Sequence, residues 1–219
     1  MIARTRIKFC GMTRAEDIAI AAALGVDAVG LILAERSPRC LTLARARALR
    51  AALPPLVSAV ALTMDAPLTQ VREILQVLRP HWLQWHGSED DADASAIGAP
   101  VLKALPMAGG EPVLAAMARW PHAAGFVLDA HAAGEPGGGG RCFDWQRAPR
   151  RAPKPWLLAG GLDPDNVAAA ILATRPFGVD VASGIEAAPG IKCPQKMARF
   201  VAAVRRADAE LALSGNPPQ

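Results

Sequence analysis

The chain has 219 residues, of which 52% are hydrophobic and 20% are charged, with 19 glycines and 19 prolines. This composition supplies enough apolar side chains for a large core, and it excludes a chain that is disordered over most of its length. The 24 basic and 20 acidic side chains leave a formal net charge of +4 that is spread along the chain. That charge suits an anionic small molecule and gives no support for a nucleic-acid partner.

The cysteines and the N-terminal segment indicate the cellular compartment. Cys10, Cys40, Cys142 and Cys193 form no C-x-x-C pair, so their spacing supports neither a zinc site nor a disulfide framework. The first residues contain no long apolar region followed by a cleavage site. No apolar run reaches the roughly 18–20 residues that a membrane span needs. We therefore expect a cytoplasmic protein that does not enter a membrane.

Short apolar runs alternate with longer amphipathic runs along the chain, which is the pattern of strands followed by helices. The strand candidates, in chain order, are Ile7–Cys10, Ala28–Leu33, Ser58–Leu62, Trp82–Trp85, Val101–Leu105, Phe126–Leu128, Trp156–Ala159 and Val179–Val181. The helix candidates are Arg14–Leu24, Leu43–Leu53, Pro67–Leu78, Asp91–Ile97, Pro112–Arg119, a weakly marked segment after Phe143-Asp144-Trp145, Asp165–Thr174 and Lys196–Leu213. Thr13 is expected to cap the first helix and Gly25 to close it.

Eight strand-like runs, each followed by a helical run, indicate an α/β fold with a parallel sheet, closed as a (β/α)8 TIM barrel. The alternative is an open, doubly wound sheet. Such a sheet would normally carry a glycine-rich dinucleotide turn after its first strand, and Cys10-Gly11-Met12-Thr13-Arg14 lacks the G-x-G-x-x-G spacing. No linker divides the chain, so we predict one barrel domain over residues 1–213 and a disordered tail over residues 214–219.

Active sites of such barrels lie at the C-terminal ends of the strands. That rule selects Cys10, the loop Arg36–Arg39, His86, Asp129, Gly160-Gly161 and Ser183-Gly184. Cys10 would act as a base if positive charge nearby lowered its pKa from about 8.5, and otherwise it is a small buried apolar side chain. Asp129 closes an apolar run, where it would serve as a general acid or as an ordinary turn residue.

The glycines after the seventh and eighth strands would let backbone N–H groups approach a phosphate, although two ordinary turns would look the same. Lys8 and Asp180 are charges within apolar strands that become neighbours if the barrel closes. We expect them to form a buried pair, with Lys103 adding to the same polar layer. The run Gly137–Gly140 is a lid or a flexible connection.

The remaining histidines do not suggest a metal site. His81 and His122 follow no strand and are expected at the surface, and His131 lies in the loop after the sixth strand. Nothing in the histidine and cysteine spacing fits a set of metal ligands.

Several motifs occur in a consistent order along the chain. They are Ile7-Lys8-Phe9-Cys10-Gly11-Met12-Thr13, Ser37-Pro38-Arg39, Gln84-Trp85-His86-Gly87, Leu128-Asp129, Gly137-Gly138-Gly139-Gly140 leading to Phe143-Asp144-Trp145, Ala159-Gly160-Gly161-Leu162 with Asn166-Val167, and Val179-Asp180-Val181-Ala182-Ser183-Gly184-Ile185-Glu186 followed by Pro189-Gly190. With these motifs the chain resembles the phosphoribosylanthranilate isomerase family of tryptophan biosynthesis. The resemblance extends from residue 7 to about residue 190.

The resemblance implies an Amadori rearrangement of N-(5'-phosphoribosyl)anthranilate to 1-(2-carboxyphenylamino)-1-deoxy-D-ribulose 5-phosphate, by acid–base catalysis without metal or organic cofactor. It implies that Cys10 is the general base, that Asp129 is the general acid and that Arg39 lies near the anthranilate carboxylate. The other expected substrate contacts are His86, Gly160, Gly161, Asp180, Ser183 and Gly184, of which Gly161, Ser183 and Gly184 match the family's phosphate cradle. Three positions depart from the family pattern, namely Trp85, Ala182 and Cys193.

Two other functions remain possible from the sequence. One is a different phosphosugar barrel enzyme, such as the sugar isomerase of histidine biosynthesis, which would be expected to carry an aspartate where this chain has Cys10. The other is a catalytically inactive barrel that only binds phosphate, for which the retained thiol and carboxylate would have no use. No repeat or heptad indicates a partner helix, so we expect a monomer that acts on a phosphorylated small molecule.

Overall fold

A computed structural model describes residues 4–108, 111–130 and 145–214. Eight parallel strands close into a barrel in sequence order, with the first strand paired to the eighth. The strands are β1 Arg6–Phe9, β2 Ala28–Ile32, β3 Ser58–Thr63, β4 Trp82–Trp85, β5 Val101–Pro106, β6 Gly125–Asp129, β7 Trp156–Leu158 and β8 Gly178–Val181. A short antiparallel hairpin follows them, formed by β9 Glu186–Ala188 and β10 Ile191–Lys192.

Helices pack around the outside of the barrel. They are α1 Ala15–Ala23, α2 Leu43–Ala51, α3 Leu68–Leu78, α4 Asp91–Ala96, α5 Val113–Ala118, α6 Val167–Thr174 and α7 Pro194–Leu213. The predicted (β/α)8 barrel is therefore confirmed, with most element ends within two residues of those expected from the apolar periodicity. Within the described ranges, no helix is both long and apolar enough to cross a membrane.

Some local predictions are wrong. Thr13 does not cap α1, because the residue before that helix is Arg14 and the Thr13 hydroxyl donates instead to the carbonyl of Gly190. In place of the weakly marked helix, the described residues form one 3-10 turn at Trp145–Arg147. Ser214 caps the C-terminus of α7, while residues 215–219 lie outside the described residues.

Other sequence motifs lie where the structure gives no description. These are the glycine run Gly137–Gly140, His131, Cys142 and the dipeptide Phe143-Asp144. His81 and His122 are exposed, as predicted. Cys193 immediately precedes α7 and makes no side-chain cap; Pro194 starts the helix, and the backbone of Cys193 accepts the first hydrogen bond, from Met197 N at 2.9 Å.

The core lies mainly between the barrel and its helices. Strand residues of one parity point outward, where Phe9 meets Phe200 edge to face at 6.0 Å and Trp85 meets Trp120 at 6.4 Å. Trp85 thus points away from the barrel interior, so its departure from the family pattern leaves the interior unchanged. Residues of the other parity fill the barrel, and this inner layer contains the polar groups that matter for function.

The predicted buried ion pair is present inside the barrel. Lys8 and Asp180 are register partners on β1 and β8, and Lys8 Nζ lies 2.8 Å from Asp180 Oδ2. Burial alone would lower the pKa of the Lys8 ammonium, but the Asp180 carboxylate raises it above its ordinary value. Lys8 therefore stays protonated beside Asp180, at the point where β1 and β8 close the barrel.

Lys103 does not belong to this layer, contrary to the prediction. It is the register partner of the outward-facing Trp85, and it points to the same side. Its ammonium lies 2.7 Å from Glu89 Oε2 and 4.7 Å from the centre of the Trp120 ring. The parity of Lys103 along β5 places it between barrel and helices, where carboxylate and aromatic partners compensate its burial.

We predict that Lys8→Met lowers the free energy of unfolding by about 3–5 kcal/mol, because it leaves the Asp180 carboxylate buried without its cation. Urea denaturation followed by circular dichroism measures this loss. The double variant Lys8→Met/Asp180→Asn carries no unpaired charge and should recover a large part of the stability. Equal stability of the single variant and the unsubstituted protein would show that the pair does not support the fold.

Candidate active site

A pocket opens at the C-terminal end of the barrel, where the strand-end rule placed the site. Its walls bring together most of the residues selected from the sequence, namely Cys10, Arg36, Ser37, Arg39, His86, Asp129, Gly160, Gly161, Asp180 and Ser183. Gly184 lies against the carbonyl of Leu162, so close that no Cβ atom would fit there. It therefore lets the loops after β7 and β8 approach each other. Sequence reasoning overlooked Gln84 and Met64, which also line the pocket.

Cys10 follows β1 and is 6% exposed. Burial raises the pKa of the Cys10 thiol above its ordinary value, and this effect exceeds the opposing influence of the positive charge of Lys8. Of the two alternatives for Cys10, the structure therefore does not show the thiol with a lowered pKa. Gly30 on β2 makes room for the sulfur, since a Cβ atom there would lie 2.6 Å from Cys10 Sγ.

Asp129 and His86 are neighbours in the wall of the pocket. His86 Nε2 lies 3.5 Å from Asp129 Oδ2, and His86 Nδ1 lies 3.5 Å from Gln84 Nε2. Burial lowers the pKa of His86, and the Asp129 carboxylate only partly offsets this effect. The imidazole is therefore neutral at neutral pH.

Arg39 is held at the pocket wall by a carboxylate that sequence reasoning did not select. Its Nε and Nη2 atoms donate to the two oxygens of Glu186, each at 2.7 Å. Burial works to raise the pKa of Glu186, but the hydrogen bonds from Arg39 and Lys192 lower it below its ordinary value. The planar, bidentate contact fixes the orientation of the guanidinium group, which lysine could not reproduce.

Lys192 joins three parts of the site. Its buried ammonium donates to the carbonyls of Cys10 at 2.7 Å and Ala182 at 3.0 Å and lies 2.8 Å from Glu186 Oε1. The loops after β1 and β8 and the hairpin after β8 are thus tied to one cation. Both residues of the Glu186–Lys192 pair lie in the β9–β10 hairpin. Glu186 ends one of the family motifs, whereas no motif quoted from the sequence contains Lys192.

The loops after β7 and β8 offer backbone groups to an anion. Gly160 and Gly161 have φ values of +84° and +64°, a conformation that favours glycine. The carbonyl of Gly161 accepts a hydrogen bond from Asn166 Nδ2 at 2.8 Å. Ser183 begins a 3-10 turn that ends at Ile185. Backbone N–H groups at glycine turns and at the start of a 3-10 turn can form a concave surface that suits a phosphate.

Comparisons with known proteins agree with this geometry. The model of the family described as N-(5'phosphoribosyl)anthranilate (PRA) isomerase matches residues 7–203. A relative from Xanthomonas campestris pv. campestris, named N-(5'-phosphoribosyl)anthranilate isomerase, is 53% identical over 211 residues, covering 94% of this chain and 95% of the relative.

Solved structures show the same similarity. Phosphoribosyl anthranilate isomerase from Thermus thermophilus is 36% identical, with a TM-score of 0.83 over 92% of this chain and 99% of the other. A second such isomerase, solved in complex with reduced 1-(o-carboxyphenylamino)-1-deoxyribulose 5-phosphate, is 28% identical with a TM-score of 0.79, again over 92% and 99%. The barrel and its arrangement of strands are therefore those of this family.

The buried thiol predicts a specific pH dependence of alkylation. Iodoacetamide reacts with the thiolate, and burial raises the pKa of Cys10 above its ordinary value, so the labelling rate of Cys10 should keep rising to a higher pH than that of an unburied thiol. Peptide-resolved mass spectrometry separates Cys10 from the other cysteines. The same peptide in the urea-unfolded chain is the control, and its rate should level off at a lower pH. Coincident profiles would contradict the effect of burial.

Proposed function

This chain belongs to the N-(5'-phosphoribosyl)anthranilate isomerase family, and on that premise we propose which of its side chains perform the reaction. Its activity is the isomerisation of N-(5'-phosphoribosyl)anthranilate to 1-(2-carboxyphenylamino)-1-deoxy-D-ribulose 5-phosphate, an Amadori rearrangement in tryptophan biosynthesis. The roles of individual residues below are inferred from the pocket and from the family motifs. The observation that carries them is that Cys10 and Asp129 line one pocket, in which Asp180 is paired with Lys8 and Arg39 with Glu186.

Asp129 acts as the general acid. It donates a proton to the ring oxygen of the ribosyl group, the bond between that oxygen and C1 breaks, and the substrate opens to a cationic Schiff base. The neutral His86 imidazole, 3.5 Å away, supports this role because it provides a hydrogen-bonding neighbour without adding a full positive charge that would favour the ionised carboxyl. The carboxyl is 8% exposed, so its proton is directed to substrate more readily than to water.

Cys10 acts as the general base. Its thiolate takes the C2 proton, which the adjacent iminium acidifies, and the electrons of that C–H bond form the C1=C2 bond of an enolamine. The enolamine becomes the ketone when its C2 hydroxyl loses a proton and C1 gains one. Lys8, which is paired to Asp180 and is close to the sulfur, stabilises the thiolate during this step.

Arg39 and the glycine loops bind the two ends of the substrate. Arg39 is fixed by Glu186, and its guanidinium group offers positive charge to the anthranilate carboxylate at the wall formed by the loop after β2. The phosphate is bound by backbone groups of Gly161, Ser183 and Gly184. The positive φ of Gly160 turns the chain so that the loop after β7 comes close to the phosphate. Binding both ends places the sugar between Cys10 and Asp129, where His86 and Asp180 also contact it.

We further propose that residues 1–213 form a single catalytic domain that acts as a monomer in the cytoplasm. The pocket lies at the mouth of one barrel and is lined by the ends of that barrel's own strands, which supports a site that a single subunit can form. A catalytic thiol must stay reduced, and a reducing compartment provides that condition.

Replacement of either catalytic side chain should abolish turnover while leaving the fold intact. Cys10→Ser and Asp129→Asn should each lower kcat by at least about 100-fold, because each removes a proton-transfer group. The measurement follows the loss of anthranilate-type fluorescence after freshly prepared phosphoribosylanthranilate is added. Cys40→Ser, which changes an exposed cysteine outside the pocket, is the matched control and should retain full activity.

The binding of the substrate should change little in the two active-site variants, because the carboxylate and phosphate contacts remain. Near-normal turnover of Cys10→Ser would show that another group removes the C2 proton. Normal turnover of Asp129→Asn would likewise assign ring opening to another acid.

A further inference from the structure

A buried ion pair lies outside the barrel, behind the part of the pocket wall that carries His86. Lys103 of β5 and Glu89 of the loop after β4 meet at 2.7 Å, and their side chains are 5% and 7% exposed. Neither of them lines the pocket. The cost of burying such a pair is offset only when further hydrogen bonds satisfy both groups. Here both groups bind the backbone of the same residue, Gly87.

Gly87 is held at both polar groups of its backbone. Its carbonyl accepts a hydrogen bond from Lys103 Nζ, and its N–H donates to Glu89 Oε2 at 3.0 Å. The residue before it is His86, whose own N–H donates to the carbonyl of Thr63 at 3.0 Å. The backbone on both sides of His86 is therefore fixed to neighbouring elements, which restricts where the imidazole can lie in the pocket.

The loop after β3 is tied to the same ion pair through Asp65. Asp65 N donates to Glu89 Oε1 at 3.0 Å, and Asp65 Oδ1 accepts a hydrogen bond from Ser88 N at 2.6 Å. The two loops approach so closely that a Cβ atom on Gly87 would collide with the Asp65 carboxylate. Asp65 follows Met64, which lines the pocket, so these reciprocal bonds fix two adjacent parts of the pocket wall relative to each other.

We propose that the Lys103–Glu89 pair and Asp65 act from outside the barrel to position His86 beside Asp129 during proton transfer. This inference rests on the proposed function, in which Asp129 is the general acid, and it adds three positioning residues that lie outside the pocket. His86 Nε2 lies 3.5 Å from Asp129 Oδ2, so a small displacement of the loop after β4 would separate the two groups. Misplacement of a catalytic arrangement by about 1 Å can lower its rate about 100-fold.

Glu89→Gln tests this inference in steady-state kinetics with phosphoribosylanthranilate. The amide has one oxygen for the three donors that the carboxylate accepts, so Gly87 should be released. We expect kcat to fall at least about tenfold and KM to change less than about twofold, because the two ends of the substrate are bound elsewhere. Asp208→Asn is the matched control, since that buried carboxylate also accepts from a backbone N–H, that of Thr5, but lies outside the pocket. At a temperature where all variants are folded, it should keep the kcat of the unsubstituted protein.

The titration of His86, followed by NMR of the isotope-labelled ring, separates positioning from a general loss of stability. Burial lowers the pKa of His86, so a ring released toward solvent should have a higher pKa. Electrostatics alone would have the opposite effect, because Glu89→Gln removes a negative charge and leaves the positive charge of Lys103 uncompensated. We expect the pKa of His86 to rise in Glu89→Gln and to stay unchanged in Asp208→Asn. Both variants retain the other charged groups that face the ring, which are Asp129, Asp180 and Lys8.

A second pair of variants decides the question if Glu89→Gln does not fold. Asp65 is exposed and has a φ of +52°, a backbone conformation that glycine and asparagine tolerate. Asp65→Gly removes the acceptor for Ser88 N, whereas Asp65→Asn keeps it as the amide oxygen. Asp65→Gly should therefore lower kcat at least about threefold and raise the pKa of His86, and Asp65→Asn should do neither.

The outcomes separate this inference from the function on which it rests. An unchanged kcat in Glu89→Gln and Asp65→Gly would overturn the positioning role and leave the proposed function intact. A lower kcat without a rise in the pKa of His86 would show that the network does not act through that ring, which also overturns the inference. If the unsubstituted protein does not convert phosphoribosylanthranilate, the proposed function fails, and the positioning role fails with it.

Discussion

The closure of the barrel at β1 and β8 is the constraint on which the active site depends. Closure places Lys8 beside Asp180 at 2.8 Å inside the barrel, and two charges are stable there only because each compensates the other. The same seam carries Cys10 at the end of β1. A shift of one residue in the pairing of these strands would reverse which side chains face inward, separating the pair and moving the thiol out of the pocket. The register of β1 against β8 therefore also determines where Cys10 lies in the pocket.

A second buried cation extends this constraint from the strands to the loops. Lys192 binds the backbone carbonyls of Cys10 and Ala182 and also pairs with Glu186, which in turn orients Arg39. The end of β1 that carries Cys10, the loop after β8 and the side chain of Arg39 therefore cannot move independently without breaking buried hydrogen bonds. Loops usually vary more than strands, and a buried network of this kind gives them the rigidity that close positioning of substrate requires.

The parts of this arrangement that follow local periodicity could be predicted from the sequence, and those set by tertiary contacts could not. Alternating apolar runs predicted the eight strands, and the strand-end rule selected Cys10 and Asp129. Lys103 was assigned to the wrong side because its orientation depends on the register of β5 against β4, which no local pattern states. Glu186 and Lys192 belong to a hairpin whose position over the barrel only the folded chain defines. Gly30 was missed because it contributes only the absence of a side chain, which leaves room for the Cys10 sulfur.

The electrostatics of Cys10 are consistent with a thiolate that is needed only briefly. Burial raises the pKa of the thiol, so only a small fraction of it is thiolate at neutral pH. The same low-polarity surroundings strengthen any attraction between charges. Once ring opening creates an iminium beside C2, that cation favours the thiolate at the moment when a base is required. In the proposed mechanism, ring opening by Asp129 thus favours ionisation of the Cys10 thiol and also acidifies C2, so a buried, weakly ionised thiol would suit this reaction without a strongly lowered pKa.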